Sequence, residues 1–239
     1  MILHPDGSIL LHHFIRPEHL VALLEKRAFH LIRQDLQKSD PNDGVLPPDC
    51  FSKPHIGPFE RSLGIDEAFA ISQAHAVASL RFRTYIMSWT KEPSEQLRQQ
   101  YGENGGRCEL RASANVLGSM IGYVANVPPD QHVKEIPDVL ACAQLKPARY
   151  TDGKTPISVF PSAFATTHKD AGKFTTDAEI RIEAVAETDD IEPTQMPPLI
   201  LWDIHRFSGL SITLARRITP QDREMIVALS TELSVPVLD

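Results

Sequence analysis

DAEIRIEAVAE, residues 177 to 187, is the stretch on which the fold turns. Ile180, Ile182, Ala184 and Ala186 alternate with Glu179, Arg181, Glu183 and Val185. A period of two puts one set on each face of a β-strand, and the charged set reads by default as the solvated face. Such a strand needs neighbours. RFRTYIMSW (81–89) is one, and SILLHHFI (8–15), AFHLIR (28–33), RCELRA (107–112), IGYVANV (121–127) and LILWDI (199–204) are others, by β-branched and aromatic content or by alternation. PVLD at 236–239 is expected to be a last short strand.

Helices fall between these strands. RPEHLVALLEK carries Pro17 and Glu18 at its start, where a missing N–H costs nothing and a negative charge meets the positive end of the dipole. IDEAFAISQAHAVASL (65–80) has helical apolar spacing, and PSEQLRQQYG (93–102) has Pro near its start and Gly at its end. IPDVLACAQL (136–145) is expected to be a short helix. ITPQDREMIVALSTEL (218–233) places Thr219 at the cap and Pro220 in the first turn. Residues 34–64 are rich in Asp, Asn, Gly and Pro and read as a long surface loop. Scattered strands with helices between and after them predict a single α+β domain with a mixed, mostly antiparallel sheet and flanking helices.

Bulk composition narrows the function. The chain has 239 residues, 42% hydrophobic and 23% charged, which is ordinary globular material. A formal net charge of -7 argues against a general nucleic-acid-binding surface, which wants a basic excess. Cys50, Cys108 and Cys142 have no paired spacing, so neither a disulfide framework nor a zinc site is expected, and a reducing cytoplasm is the natural setting. The first residues, MILHPDGSILLHHFIR, lack the basic start and apolar run of a signal peptide, and no stretch has the length of a membrane span.

Several segments, in order, resemble the bacterial domain-of-unknown-function family numbered 2971. They are LHHFIRPEHLVALLE, the polar SDPNDG loop, IMSWTKEPSEQLRQQYGENGGRCEL, KDAGKFTTDAEIRI and ITLARRITPQDREMIVALSTELSVPV, and together they span nearly the whole chain. The chain departs from the family pattern in three places: Leu97 to Tyr101 has no Trp, Asp177 stands for the first Glu of the late motif, and the loop reads Ser39-Asp40-Pro41.

A second resemblance lies in the order of polar residues. His13 or Arg16 follows the first strand, Ser88-Trp89-Thr90 ends a middle strand, and Asp177-x-Glu179 opens a late one. This order is similar to that of the ADP-ribosyltransferase superfamily. The resemblance implies an NAD-dependent transferase or NAD-cleaving enzyme, and by extension a toxin-like or phage-defence effector. Glu179 and Asp177 would be its catalytic carboxylates. Ser88 and Thr90 would orient the ribose, His13 or Arg16 would hold NAD, and Trp89 or Phe14 would stack on a ring. The acceptor would be a macromolecule or water. The chemistry is consistent: loss of nicotinamide passes through an oxocarbenium-like state that a fixed carboxylate stabilises, and Arg grips pyrophosphate through its planar donors.

Two other classes compete. Ten histidines, with His4, His12, His13, His30, Asp35, Asp40 and Asp43 crowded near the start, offer the vocabulary of a metal-dependent nuclease or hydrolase. His12 and His13, however, point to opposite faces of a strand. A non-enzymatic sensor or protein-binding module is the third class. Convergence of Arg16, Ser88 and Glu179 in space separates it from the transferase: without convergence the transferase reading fails and the binding module gains.

Overall fold

A computed structural model describes residues 8–37, 44–46, 48–91, 93–103, 105–121, 140–151, 168–170, 178–187, 196 and 198–238. The chain opens with β1 (Leu10–Ile15), α1 (Pro17–Lys26) and β2 (Ala28–Arg33). It continues through α2 (Asp49–Ser52), α3 (Pro58–Ser62), α4 (Glu67–Leu80) and β3 (Thr84–Thr90). Next come α5 (Glu95–Leu97), a π-helical turn (Arg98–Glu103), β4 (Cys108–Ser113) and α6 (Ala114–Ile121). The second half holds β5 (Leu140–Pro147), β6 (Arg149–Thr151), β7 (His168–Asp170), β8 (Glu179–Glu187), β9 (Leu199–Asp203), β10 (Ser211–Thr213), α7 (Pro220–Glu232) and β11 (Val237–Leu238). The architecture is α+β.

Local chemistry explains most of the helix ends. Pro17 occupies the first turn of α1, and Arg27 closes it in the left-handed region at φ 52°. Asp66 caps α4 by accepting from Phe69 N, and Thr219 caps α7 by accepting from Asp222 N. Two expectations need correction. The segment 140–145 is not helical: it adds as β5 along the whole edge of β8, and Pro147 is tolerated because β5 is an edge strand. The stretch 34–64 is not loop throughout; it holds a 3-10 turn (Gln34–Leu36) as well as α2 and α3. The strand expected at 121–127 falls outside the described residues, except Ile121, which ends α6.

Nine strands form one sheet that branches at β3. One edge of β3 pairs antiparallel with β8 from Thr84↔Val185 to Thr90↔Glu179, and β5 lies beyond β8. The other edge is shared. β1 meets it at His12↔Thr90, and β2 meets it at Ile32↔Ile86 and Arg33↔Tyr85. Extended further, both strands would claim the same three residues, Met87 to Trp89. They cannot both have them, so they part. β1 leads on to β4, β10 and β11, and β2 leads to β9. The sheet therefore forks beside Ser88.

The two faces of the sheet differ. On one, Leu11, Tyr85, Met87, Trp89, Leu110, Ile180, Ile182 and Trp202 join a core completed by Leu20, Leu23 and Leu24 of α1 and Ile226 of α7. Each such side chain contributes about 1.5–3 kcal/mol by leaving water. The other face is polar, and it sets the site.

Candidate functional site

Strand register places the polar residues in rows. One row crosses five strands as Ser211, Arg111, His12, Thr90 and Glu179. The next holds Thr213, Glu109 and Phe14 on one arm, and Ser88 and Arg181 on the other. Residues directly paired across a ladder share a face, so all of these project the same way.

The middle and late strands meet closely. Ser88 Oγ donates to Glu179 Oε1 at 2.6 Å, and Arg181 Nε donates to the same oxygen at 2.7 Å. The expectation of a solvated charged face on β8 is overturned: Glu179 is 4% exposed, Arg181 0% and Glu183 1%. Buried charges of this kind persist only when paired and hydrogen-bonded, and the Glu179–Arg181 ion pair meets that demand. Ser88 is the exposed residue of β3. The carboxylate thus lies under a hydroxyl that solvent reaches.

The fork gives this point its shape. His13 Nδ1 donates to the Ser88 carbonyl at 2.6 Å, taking the place of a ladder bond that the departing β1 does not make. A carbonyl can only accept, so the proton is on Nδ1 and Nε2 is left as an acceptor. Burial holds the His13 imidazole down to about 4; the Ser88 bond opposes this, and the Arg107 charge adds to it. Trp89, on the opposite face from Ser88, closes the fork from the core side. Its ring lies 5.4 Å from His13 on β1 and 6.2 Å, edge-on, from Phe29 on β2. At 1% exposure the indole is a plug in the core, not the stacking platform the sequence suggested.

The other sequence candidates separate. Thr90 is buried in the row between His12 and Glu179. Arg16 lies beyond the end of β1; its exposed guanidinium pairs with Glu18 and bonds His19. Asp177 lies outside the described residues, as do His4, Asp40 and Asp43 of the metal alternative. Among the described residues no three His, Cys, Asp or Glu side chains are placed to hold a metal. His12 is turned to Glu109, and Asp35 to Arg33.

The first-strand residue in the row of Thr90 and Glu179 is His12 rather than His13 or Arg16. Two strand spacings, about 10 Å, separate its backbone from that of Glu179. His12 Nδ1 donates to Glu109 Oε1 at 2.7 Å, and Arg111 donates to Glu109 Oε2 at 2.5 Å. Burial alone would raise the Glu109 carboxyl, but the hydrogen bonds and charges of His12 and Arg111 outweigh it and bring it to about 2. The signal for this pair was present in the sequence: Glu109-Leu110-Arg111 and Glu179-Ile180-Arg181 are the same Glu-apolar-Arg pattern on two strands.

No protein-family model, curated protein or solved structure matches this chain.

Proposed function

We propose that this protein cleaves the bond between nicotinamide and ribose in NAD, passing the ADP-ribose to a macromolecular acceptor or to water. The observation that carries the reading is the 2.6 Å hydrogen bond from Ser88 to Glu179, which unites the middle-strand hydroxyl with the late-strand carboxylate beside an open fork. In the reaction the C1′–N bond breaks and its electron pair stays on the nicotinamide ring nitrogen. The ribose becomes an oxocarbenium ion. Acceptor or water then adds to C1′ and loses a proton.

Each residue has a part. Glu179 presents negative charge to the developing cation and accepts a ribose hydroxyl. Arg181, wholly buried, fixes the carboxylate through one oxygen, so the charge is aimed before substrate arrives. Ser88 steadies that oxygen and touches the ligand from its exposed position. His12 and Thr90 extend the polar row along which the ribose lies. An effector role against phage or competing bacteria would follow from depleting NAD or modifying a target.

Nicotinamide release from NAD, measured for wild type, Ser88→Ala and Glu179→Gln, tests the reading. Wild type is expected to release nicotinamide. Glu179→Gln should lose at least about a hundredfold, the scale of removing one preorganised electrostatic group. Ser88→Ala, at an exposed position, should fold normally and lose about tenfold. No release by a folded wild type, and no stabilisation by NAD on heating, would sink the proposal.

A further inference from the structure

The breaking of the glycosidic bond leaves Glu109 and His12 without a task. His12 Nδ1 donates to Glu109 Oε1 at 2.7 Å, and Arg111 holds the other carboxylate oxygen. Against its burial, these two partners keep the carboxyl at about 2, so it stays ionised. An ionised carboxylate on Nδ1 fixes the tautomer: the proton is on Nδ1 and the lone pair on Nε2. The same carboxylate stabilises the imidazolium that forms when Nε2 takes up a proton. His13 and His19 are placed differently. The first donates to a backbone carbonyl, and the second accepts from Arg16.

Nε2 is the end of the His12 ring that the protein leaves unused. Glu109 lies on β4, and the two ring nitrogens point away from each other, so Nε2 is directed away from β4. The side chain is only 8% exposed, yet Nε2 has no hydrogen-bond partner among the described residues and is not sealed from solvent. A lone pair so placed is within reach of water. So small an opening leaves no approach for the side chain of a macromolecular acceptor.

Register sets the distance. His12 pairs with Thr90 and Thr90 with Glu179, so Thr90 stands between the imidazole and the carboxylate. Two strand spacings come to about 10 Å between backbones. Inverting enzymes that add water to a sugar carbon hold their two catalytic groups about 6.5–9.5 Å apart, which leaves room for the water. The row has spacing of the same order.

We propose that water is the acceptor at this site and that His12, oriented by Glu109, is the general base that activates it. The inference rests on the NAD cleavage proposed above and names the step that completes it. As the ribose cation forms, the water oxygen bonds to C1′. One of its O–H bonds breaks, and the proton passes to His12 Nε2. The imidazolium, paired with Glu109, then gives the proton to solvent. The products are nicotinamide, ADP-ribose and one proton.

Three products measured side by side test the assignment: ADP-ribose, NAD that has exchanged its nicotinamide for labelled nicotinamide, and ADP-ribosyl azide formed in sodium azide. The proteins are wild type, His12→Asn, Glu109→Gln and Glu179→Gln, each with its melting temperature. Exchange needs the glycosidic bond to break and re-form but needs no base. Azide adds to C1′ as an anion and has no proton to lose. Wild type should form ADP-ribose and exchange nicotinamide. His12→Asn keeps a donor for Glu109 but has no Nε2; it should lose about a hundredfold or more in ADP-ribose, lose far less in exchange, and recover turnover in azide. Azide product from the variant itself shows that it is folded. If His12→Asn is unfolded at the assay temperature, Glu109→Gln decides, with a smaller loss of ADP-ribose and the same recovery. Glu179→Gln should lose all three products.

Undiminished ADP-ribose in His12→Asn would overturn the proposal. So would equal loss of all three products in a folded His12→Asn, or wild type that exchanges nicotinamide without forming ADP-ribose. Each of these leaves the NAD cleavage standing. Wild type that neither exchanges nicotinamide nor forms ADP-ribose removes both readings.

Discussion

The same three-residue pattern serves twice on one face of the sheet, with different results. On β8, Glu179 accepts from Arg181 two residues on and from Ser88 across the ladder. On β4, Glu109 accepts from Arg111 two residues on and from His12 across the ladder. Locally the two are equivalent, because alternate residues of a strand stand side by side on one face. Their surroundings are not. Arg181 has no solvent exposure, and its carboxylate partner reaches an exposed hydroxyl at the fork. Arg111 keeps 27% of its side-chain exposure, and its carboxylate is capped by a buried imidazole. One pair holds a fixed negative charge beneath an exposed hydroxyl. The other braces β1 against β4 and orients His12.

Stability separates the two most strongly. Arg181→Met leaves Glu179 buried without its cation and should cost about 3–5 kcal/mol, whereas Arg111→Met, with water at hand to replace the lost donor, should cost about 1 kcal/mol. Urea unfolding of the two variants measures the difference, and equal losses would break the comparison. Replacing Glu179 and Arg181 together with Leu and Met should restore much of the loss, since the penalty belongs to the orphaned charge.

Acid sharpens it next. The Glu109 carboxyl is depressed in the folded state, so it contributes stability above about pH 4.5 that is lost as pH falls towards about 2. The shift corresponds to a contribution on the order of 3 kcal/mol. Glu109→Gln should flatten that part of the stability profile, whatever it does at neutral pH. A profile as steep as wild type would show that the His12–Arg111 brace is not what holds the proton off.

The smallest effect at neutral pH belongs to the fork between the two regions. His13 is held neutral in the fold, so as pH falls from 6.5 through about 4 the unfolded chain takes up a proton that the folded one resists, and stability declines. His13→Gln keeps a donor for the Ser88 carbonyl. It should change stability by less than about 1 kcal/mol at pH 7 and remove the decline in that window. Melting temperatures between pH 7 and 4 would show it, and an unaltered slope would place the titrating group elsewhere.

Much of this molecule was legible from residue order. The period of two in β8, the β-branched and aromatic runs of β1, β2, β3, β4 and β9, and the Pro17 and Thr219–Pro220 helix starts all depend on neighbours a few positions away. The α+β class follows from their alternation. Of the three residues expected to converge, Ser88 and Glu179 are hydrogen-bonded, whereas Arg16 is exposed and pairs with Glu18. Less local features were misread. Residues 140–145 look helical in isolation, yet the open edge of β8 makes them a strand. The charges of β8 look solvated, yet the fold buries them.

What the sequence determined by itself was which side chains share a strand and a face, because the pleat of the backbone enforces that whatever lies nearby. Only the tertiary structure decided which face would be buried, that His12 and not His13 or Arg16 would fall in one row with Glu179, and that Arg107 would come to rest on Tyr101. The reason is the fork. Two strands competing for one edge of β3 must diverge, and that competition joins residues 10–15, 28–33 and 84–90, which no local pattern connects.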